Sequence, residues 1–205
     1  MNIVSLVLTW LLLLALEGNA QDKREPIRMA VIPFEDILGN ASPDATKFTQ
    51  VLLSHLSREE KLAARVAKPD KPGTVLDRET ALALAKKQDA VYLITGRVID
   101  AKTGQGNSGL PIPKLGRVNS NSVTSEVKVE MEIISVATGK TVERLRAEGK
   151  ETLRSNQTWV NSRLGSINLG GSTPTHSPMG HAMDECAEKL AKRVLGILIL
   201  RSNHN

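Results

Sequence analysis

Three short apolar runs separated by two helical stripes set the class of this chain. Residues 27–34 read as a first strand, with Met29, Val31 and Ile32 in a β-rich run that Pro33 closes. Residues 39–43 are turn chemistry, and Ser42 or Asp44 can cap a helix reaching about Ser57. Phe48, Val51, Leu52 and Leu56 recur there at helical spacing and make one buried stripe. Residues 62–67 are short enough for a second strand, and the charged stretch 68–73, with two prolines, must be a surface loop. Asp77 then caps a helix through about Lys87, and residues 90–99, rich in Val and Ile, read as a buried strand. Strand, helix, strand, helix, strand is the order of an α/β layer in which helices pack on a sheet.

Further along, Val127, Val129, Met131 and Ile133 alternate with Lys128, Glu130 and Glu132, which predicts a strand with one wet face. Thr138-Gly139 is a turn, and residues 140–148 return as an antiparallel partner. Pro178 introduces a closing helix whose Met183, Cys186, Ala187, Leu190, Ala191, Val194, Leu195 and Leu198 recur at intervals of three and four. The expected fold is therefore α/β: a mixed sheet from a β-α-β-α-β unit followed by an antiparallel hairpin, with a C-terminal helix and a short tail from about residue 202. Two polar insertions, at about 102–124 and 150–177, show no clear period and read as loops on this scaffold. Such loops commonly carry function. Their most apolar residues, Leu110, Ile112, Leu115, Trp159 and Val160, are candidate partner or subunit contacts, with ordinary loop packing as the competing reading.

The N-terminus predicts export. Residues 3–16 form an apolar run with Thr9 as its polar exception, too short for the roughly 20 residues of a spanning helix. Gly18, Asn19 and Ala20 offer a small-residue site, so cleavage is expected between Ala20 and Gln21, leaving a tether over 21–26. No Lys or Arg precedes Ile3, which keeps an uncleaved anchor as the alternative. The remaining length suits one domain with a core of its own. That core must be aliphatic, because 40% of residues are hydrophobic and 2% aromatic, and recognition by ring stacking is disfavoured. The net charge of +5 is scattered among acids, not gathered into a stripe, which argues against nucleic acid. The single cysteine, Cys186, permits no internal disulfide and sits among apolar residues, where a thiol is inert.

Motifs for chemistry fail on inspection. Gly104, Gly106 and Gly109 spell G-x-G-x-x-G after a strand, but Pro111 and Pro113 forbid the helix that would hold a pyrophosphate. His181 and Cys186 lie five apart, so a helix points them to different faces and they make no metal pair with each other. No histidine stands in a nucleophile-elbow context. The expectation is a non-enzymatic protein with no cofactor, metal or catalytic residue. A periplasmic enzyme of unrecognised class would need a pocket joining His176 or His181 to an acid. Asn40 and Asn156 head glycosylation sequons, which matter only in a eukaryotic source.

Four segments in order, MAVIPF at 29–34, AVYLITG at 90–96, IISVATGK at 133–140 and the stretch from Pro178 through Met183 to Ala191, resemble the curli-production assembly and transport component family (CsgG). The resemblance spans most of the chain beyond residue 20. It implies a periplasmic α/β domain at the outer membrane, in a ring-shaped homo-oligomer that exports fibre subunits. A related periplasmic branch instead activates peptidoglycan synthases by binding them, without a pore. Family members are typically lipoproteins with a cysteine after the signal peptide, whereas Gln21 stands there in this chain. Channel members also send two hairpins through the membrane, which should coincide with the two insertions. Those insertions have suitable length but lack the alternating apolar band and aromatic girdles of a barrel strand. The expected mode of action is protein contact in the cell envelope.

Overall fold

The computed structural model describes residues 25–36, 43–67, 76–112, 116–162, 165–171 and 177–202. The expected signal peptide, the Ala20–Gln21 junction and Leu115 lie outside them, as do His176 and His204. Among the described residues seven strands and three helices follow in the order β1 (Ile27–Val31), β2 (Glu35–Asp36), α1 (Pro43–Arg58), β3 (Leu62–Val66), α2 (Arg78–Lys87), β4 (Tyr92–Ile112), β5 (Gly116–Ser135), β6 (Thr141–Ser162), β7 (Gly165–Gly171) and α3 (Pro178–Ser202). They build one mixed sheet of order β3-β1-β4-β5-β6-β7, with β2 paired to β4. The pairs β1–β3, β1–β4 and β2–β4 are parallel, and every pair from β4 to β7 is antiparallel. This is the mixed α/β architecture the alternation of runs predicts.

The two faces of the sheet are covered unequally. Helices α1 and α3 lie on one face, where Phe48, Leu52, Leu56, Leu190, Val194 and Leu198 meet Val127, Val129, Met131 and Ile133 in a continuous core. Phe34 and Phe48 pack as tilted rings 5.3 Å apart, placing both phenylalanines of the chain in that core. Helix α2 covers only one end of the opposite face, through Ala81 and Ala85 against Ala30, Leu93, Ile134 and Val136. Small residues on α2 let it sit close. The Asp77 carboxylate caps it by accepting from the Thr80 amide at 2.7 Å. At its other end Asp89 takes φ 51°, and the Ala90 amide donates back to the Ala85 carbonyl at 3.1 Å, closing the helix as a left-handed cap.

Three expectations are corrected. The insertions at 102–124 and 150–177 are not loops over their described lengths: β4 and β5 pair without interruption from Asp100↔Lys128 to Ile112↔Gly116, and β6 runs on to Ser162. The strand expected over 90–99 accordingly reaches Ile112, more than doubling its length. The closing helix includes Arg201 and ends at Ser202, the first residue of the expected tail. At Gly139 φ is +66°, as the Thr138-Gly139 turn requires.

Candidate functional site

Beyond the helical layer β4, β5 and β6 continue as a sheet that no described helix covers, joined near its tip by β7. Its start is marked on β4 by a break in register between Val98 and Asp100, where pairing to β2 at Glu35↔Arg97 and Asp36↔Val98 also ends. From there β4 pairs only with β5 among the described residues. On the opposite side β7 joins near the tip, paired to β6 from Gln157↔Gly171 to Ser162↔Gly165, with no described strand beyond it. Among the described residues the result is an antiparallel extension of three strands, widened to four by β7 at its tip, with one unpaired edge on β4 and the other on β6 up to Asn156 and then on β7. Thirteen residues of β4, at about 3.3 Å each, make it roughly 40 Å long.

Its chemistry changes where the core stops. The apolar series Ile133, Met131, Val129, Val127 is followed on the same face by Ser125, which is fully buried and shares a 2.9 Å hydroxyl contact with Thr103. Thr103, Gln105 and Asn107 beyond are exposed. On the other face Thr124 and Thr152 meet hydroxyl to hydroxyl at 3.0 Å across β5 and β6. Neither face presents apolar side chains as a continuous band at the described positions.

Along the uncovered face of the sheet runs a ladder of ion pairs. Glu130 is shared between Arg97, at 2.8 Å, and Arg146, and Glu132 meets Arg144 at 2.8 Å. Further toward the extension Glu126 accepts from Lys128 at 2.7 Å and from Lys102 at 3.4 Å. The Lys128 contact holds the Glu126 carboxyl below its ordinary value, and the Arg97 contact does the same for Glu130. Glu35, on β2, moves the other way, raised by desolvation and by Asp36 against the pull of Arg97. Of these, Glu35, Arg97, Glu130, Glu132, Arg144 and Arg146 line a trough of about 560 Å³ that Ile32, Leu93, Ile134 and Arg78 of α2 also line. Pairs this exposed contribute little stability each. What the ladder fixes is cross-strand register.

Four of the five predicted contact residues come together. Register lines up Ile112, Gly116, Val160 and Ile167 across β4, β5, β6 and β7, and Leu110 opposite Val118 two pairs away. Trp159 pairs with Arg117 on one side and Asn168 on the other. Residues from two separate insertions therefore share the tip of one sheet. The fifth, Leu115, lies outside the described residues.

Elsewhere, Cys186 is buried between α3 and β6, and burial pushes its thiol up to about 12. The histidine–carboxylate pair shown is not the one sought in the sequence: His55 Nε2 lies 2.8 Å from Asp184 Oδ1, joining α1 to α3 across 129 positions. His181 lies in α3.

No family model matches the chain, and no curated protein matches it. Solved structures similar in fold include the PelC dodecamer from Paraburkholderia phytofirmans (17% identity, 80% of this chain and 84% of that one, TM-score 0.44). Lipoprotein GNA1162 from Neisseria meningitidis is similar at 14% identity over 88% of this chain and all of that one, with a TM-score of 0.41. The LpoB C-terminal domain from Salmonella enterica is similar at 12% identity over 66% of this chain and 91% of that one, with a TM-score of 0.39.

Proposed function

We propose that this chain is a non-enzymatic assembly or transport component of the cell envelope, of the curli-production type, exported to the periplasm and acting there or at the outer membrane through protein contact. The observation that carries this reading is the antiparallel extension, three strands wide and four at its tip, whose edges on β4 and β7 have no described strand partner. Exposed backbone donors and acceptors on a long edge are a template for another strand. Because the two edges, on β4 and β7, are different surfaces, pairing them between copies is head-to-tail and closes into a ring when the rotation allows. A strand of this length also exceeds the 9 to 11 residues needed to cross a bilayer.

A second reading rests on a specific observation, the polar side chains on both faces of the extension where it is described, Gln105 and Asn107 on one and Thr124 and Thr152 on the other. Polar faces suit contact with a soluble partner better than with lipid, as in a periplasmic activator of a peptidoglycan synthase. Light scattering after size exclusion, on residues 21–205 with and without outer-membrane lipid, separates the two. A mass several times that of one chain, or assembly on lipid, supports the ring. A strict monomer indifferent to lipid overturns it and leaves the activator.

A further inference from the structure

Helix α3 runs antiparallel to β6 and sends four side chains onto its outer edge. The Lys150 amide donates to Glu185 Oε2 at 2.8 Å. Lys189 Nζ donates to the Glu148 carbonyl at 2.9 Å, Arg193 Nη1 to the Arg146 carbonyl at 2.8 Å, and Arg201 Nη2 to the Val142 carbonyl at 3.4 Å. On the helix these residues belong to the series 185, 189, 193, 197 and 201. On the strand their targets are residues 150, 148, 146 and 142. Four helical residues advance about 6 Å and two strand residues about 6.6 Å, so the two series stay in step over the whole contact. The skipped position is Ile197, which packs against the core.

These are outward-facing groups. In an antiparallel pair alternate residues turn both amide and carbonyl away from the neighbouring strand, and β5 already occupies the other side of β6. Strand β7 pairs with β6 only from Gln157 onward. Residues 142–150 would therefore be an open edge if α3 did not reach over it. Gly149 makes the reach possible: a Cβ there would stand 1.9 Å from the Ala182 carbonyl oxygen and 2.8 Å from the Cys186 nitrogen.

We propose that Glu185, Lys189, Arg193 and Arg201 are an edge guard, which denies strand addition by a second copy of this chain along residues 142–150 of β6. Charged side chains and helix cover are both known means of blunting a sheet edge; here one helix supplies both. If copies pair through the extension, as the preceding reading holds, the guard also confines that pairing to the part of the sheet that no described helix covers.

The test is sedimentation velocity of residues 21–205 across a hundredfold range of concentration, with circular dichroism to verify folding. The variant Lys189→Met/Arg193→Met keeps helix propensity and apolar stems while exposing the two central carbonyls. It is expected to begin forming species larger than those of the unaltered protein at a concentration at least tenfold lower. A charge-matched control, Lys192→Met/Lys86→Met, alters exposed lysines that contact no β6 backbone and should sediment as the unaltered protein does. Adding Glu148→Pro removes an outward donor from the same edge and should reverse the association. The single variant Lys189→Met serves if the double variant does not fold. Unchanged sedimentation of the guard variant, or association that Glu148→Pro leaves intact, overturns the proposal. A monomeric unaltered protein would refute the ring yet leave this prediction standing.

Discussion

Replacing Gly149 with alanine should unseat α3. The added Cβ would lie 1.9 Å from the Ala182 carbonyl oxygen, 2.8 Å from the Cys186 nitrogen and 2.9 Å from the Ala182 carbonyl carbon. Ordinary contact begins near 3.4 Å, so helix and strand must separate by about 1.5 Å. All three obstacles are backbone, which cannot rotate aside, so the cost falls at the upper end of overpacking, about 3 kcal/mol. The shift is felt along the helix, since Ala182, Cys186, Leu190 and Val194 are buried on the same face. For a domain of this size about 3 kcal/mol lowers Tm by roughly 6–12 °C. Thermal unfolding followed by far-ultraviolet circular dichroism reads the change. Gly104→Ala, where a Cβ meets nothing within 4 Å, is the control and should shift Tm by no more than about 2 °C. A Gly149→Ala protein melting within 2 °C of the unaltered one would refute the close approach on which α3 placement depends.

Other consequences follow from the same geometry. Gly196→Ala, inside α3 with open space around it, should stabilise by about 0.5–1 kcal/mol, seen as a higher Tm. Leu190→Ala should cost about 2–5 kcal/mol in denaturant unfolding, because its side chain is fully buried between helix and sheet. Cys186 should resist a thiol reagent at pH 8 in the native protein and react completely once unfolded, its thiol being pushed up to about 12 by burial. Acid should destabilise through Glu126, Glu130, Glu185 and Glu188: their folded values lie below the ordinary 4.5, so their contribution is present above that value and lost as pH falls through the folded ones. Glu35 has the opposite sign, since its raised value favours the protonated folded state. Glu35→Gln should therefore raise stability at pH 7 relative to pH 4, measured by urea titration at both.

The core was legible because burial writes itself into spacing. Phe48, Leu52 and Leu56 on α1, and Val127 to Ile133 on β5, face the same apolar layer and show the periods of helix and strand that such a layer imposes. The Asp77 cap and the Gly139 turn were legible for the same reason, each being a residue its backbone position demands. The extension was not. Hydrophobic alternation marks a strand only when one of its faces is buried, and Thr103, Gln105 and Asn107 lie on a sheet exposed at those positions. There the strand is held by backbone pairing on one or both sides, which leaves no trace in side-chain pattern. The contact residues Ile112 and Val160 could be chosen as the least polar points of their segments, but their alignment across four strands depends on register that only the structure supplies. The guard on β6 escaped notice because Lys189 and Arg193 read, on sequence alone, as the wet side of an amphipathic helix.

The pairing of β4 in one copy with β7 in the next is tested most directly by cross-linking. In a Cys186→Ala background, single cysteines scanned along residues 101–107 of β4 and 166–170 of β7 would be mixed pairwise and oxidised. Disulfide-linked species are expected between β4 and β7 variants, with linkage peaking at alternate positions as strand pairing requires. Linkage absent from every β4–β7 combination would contradict it.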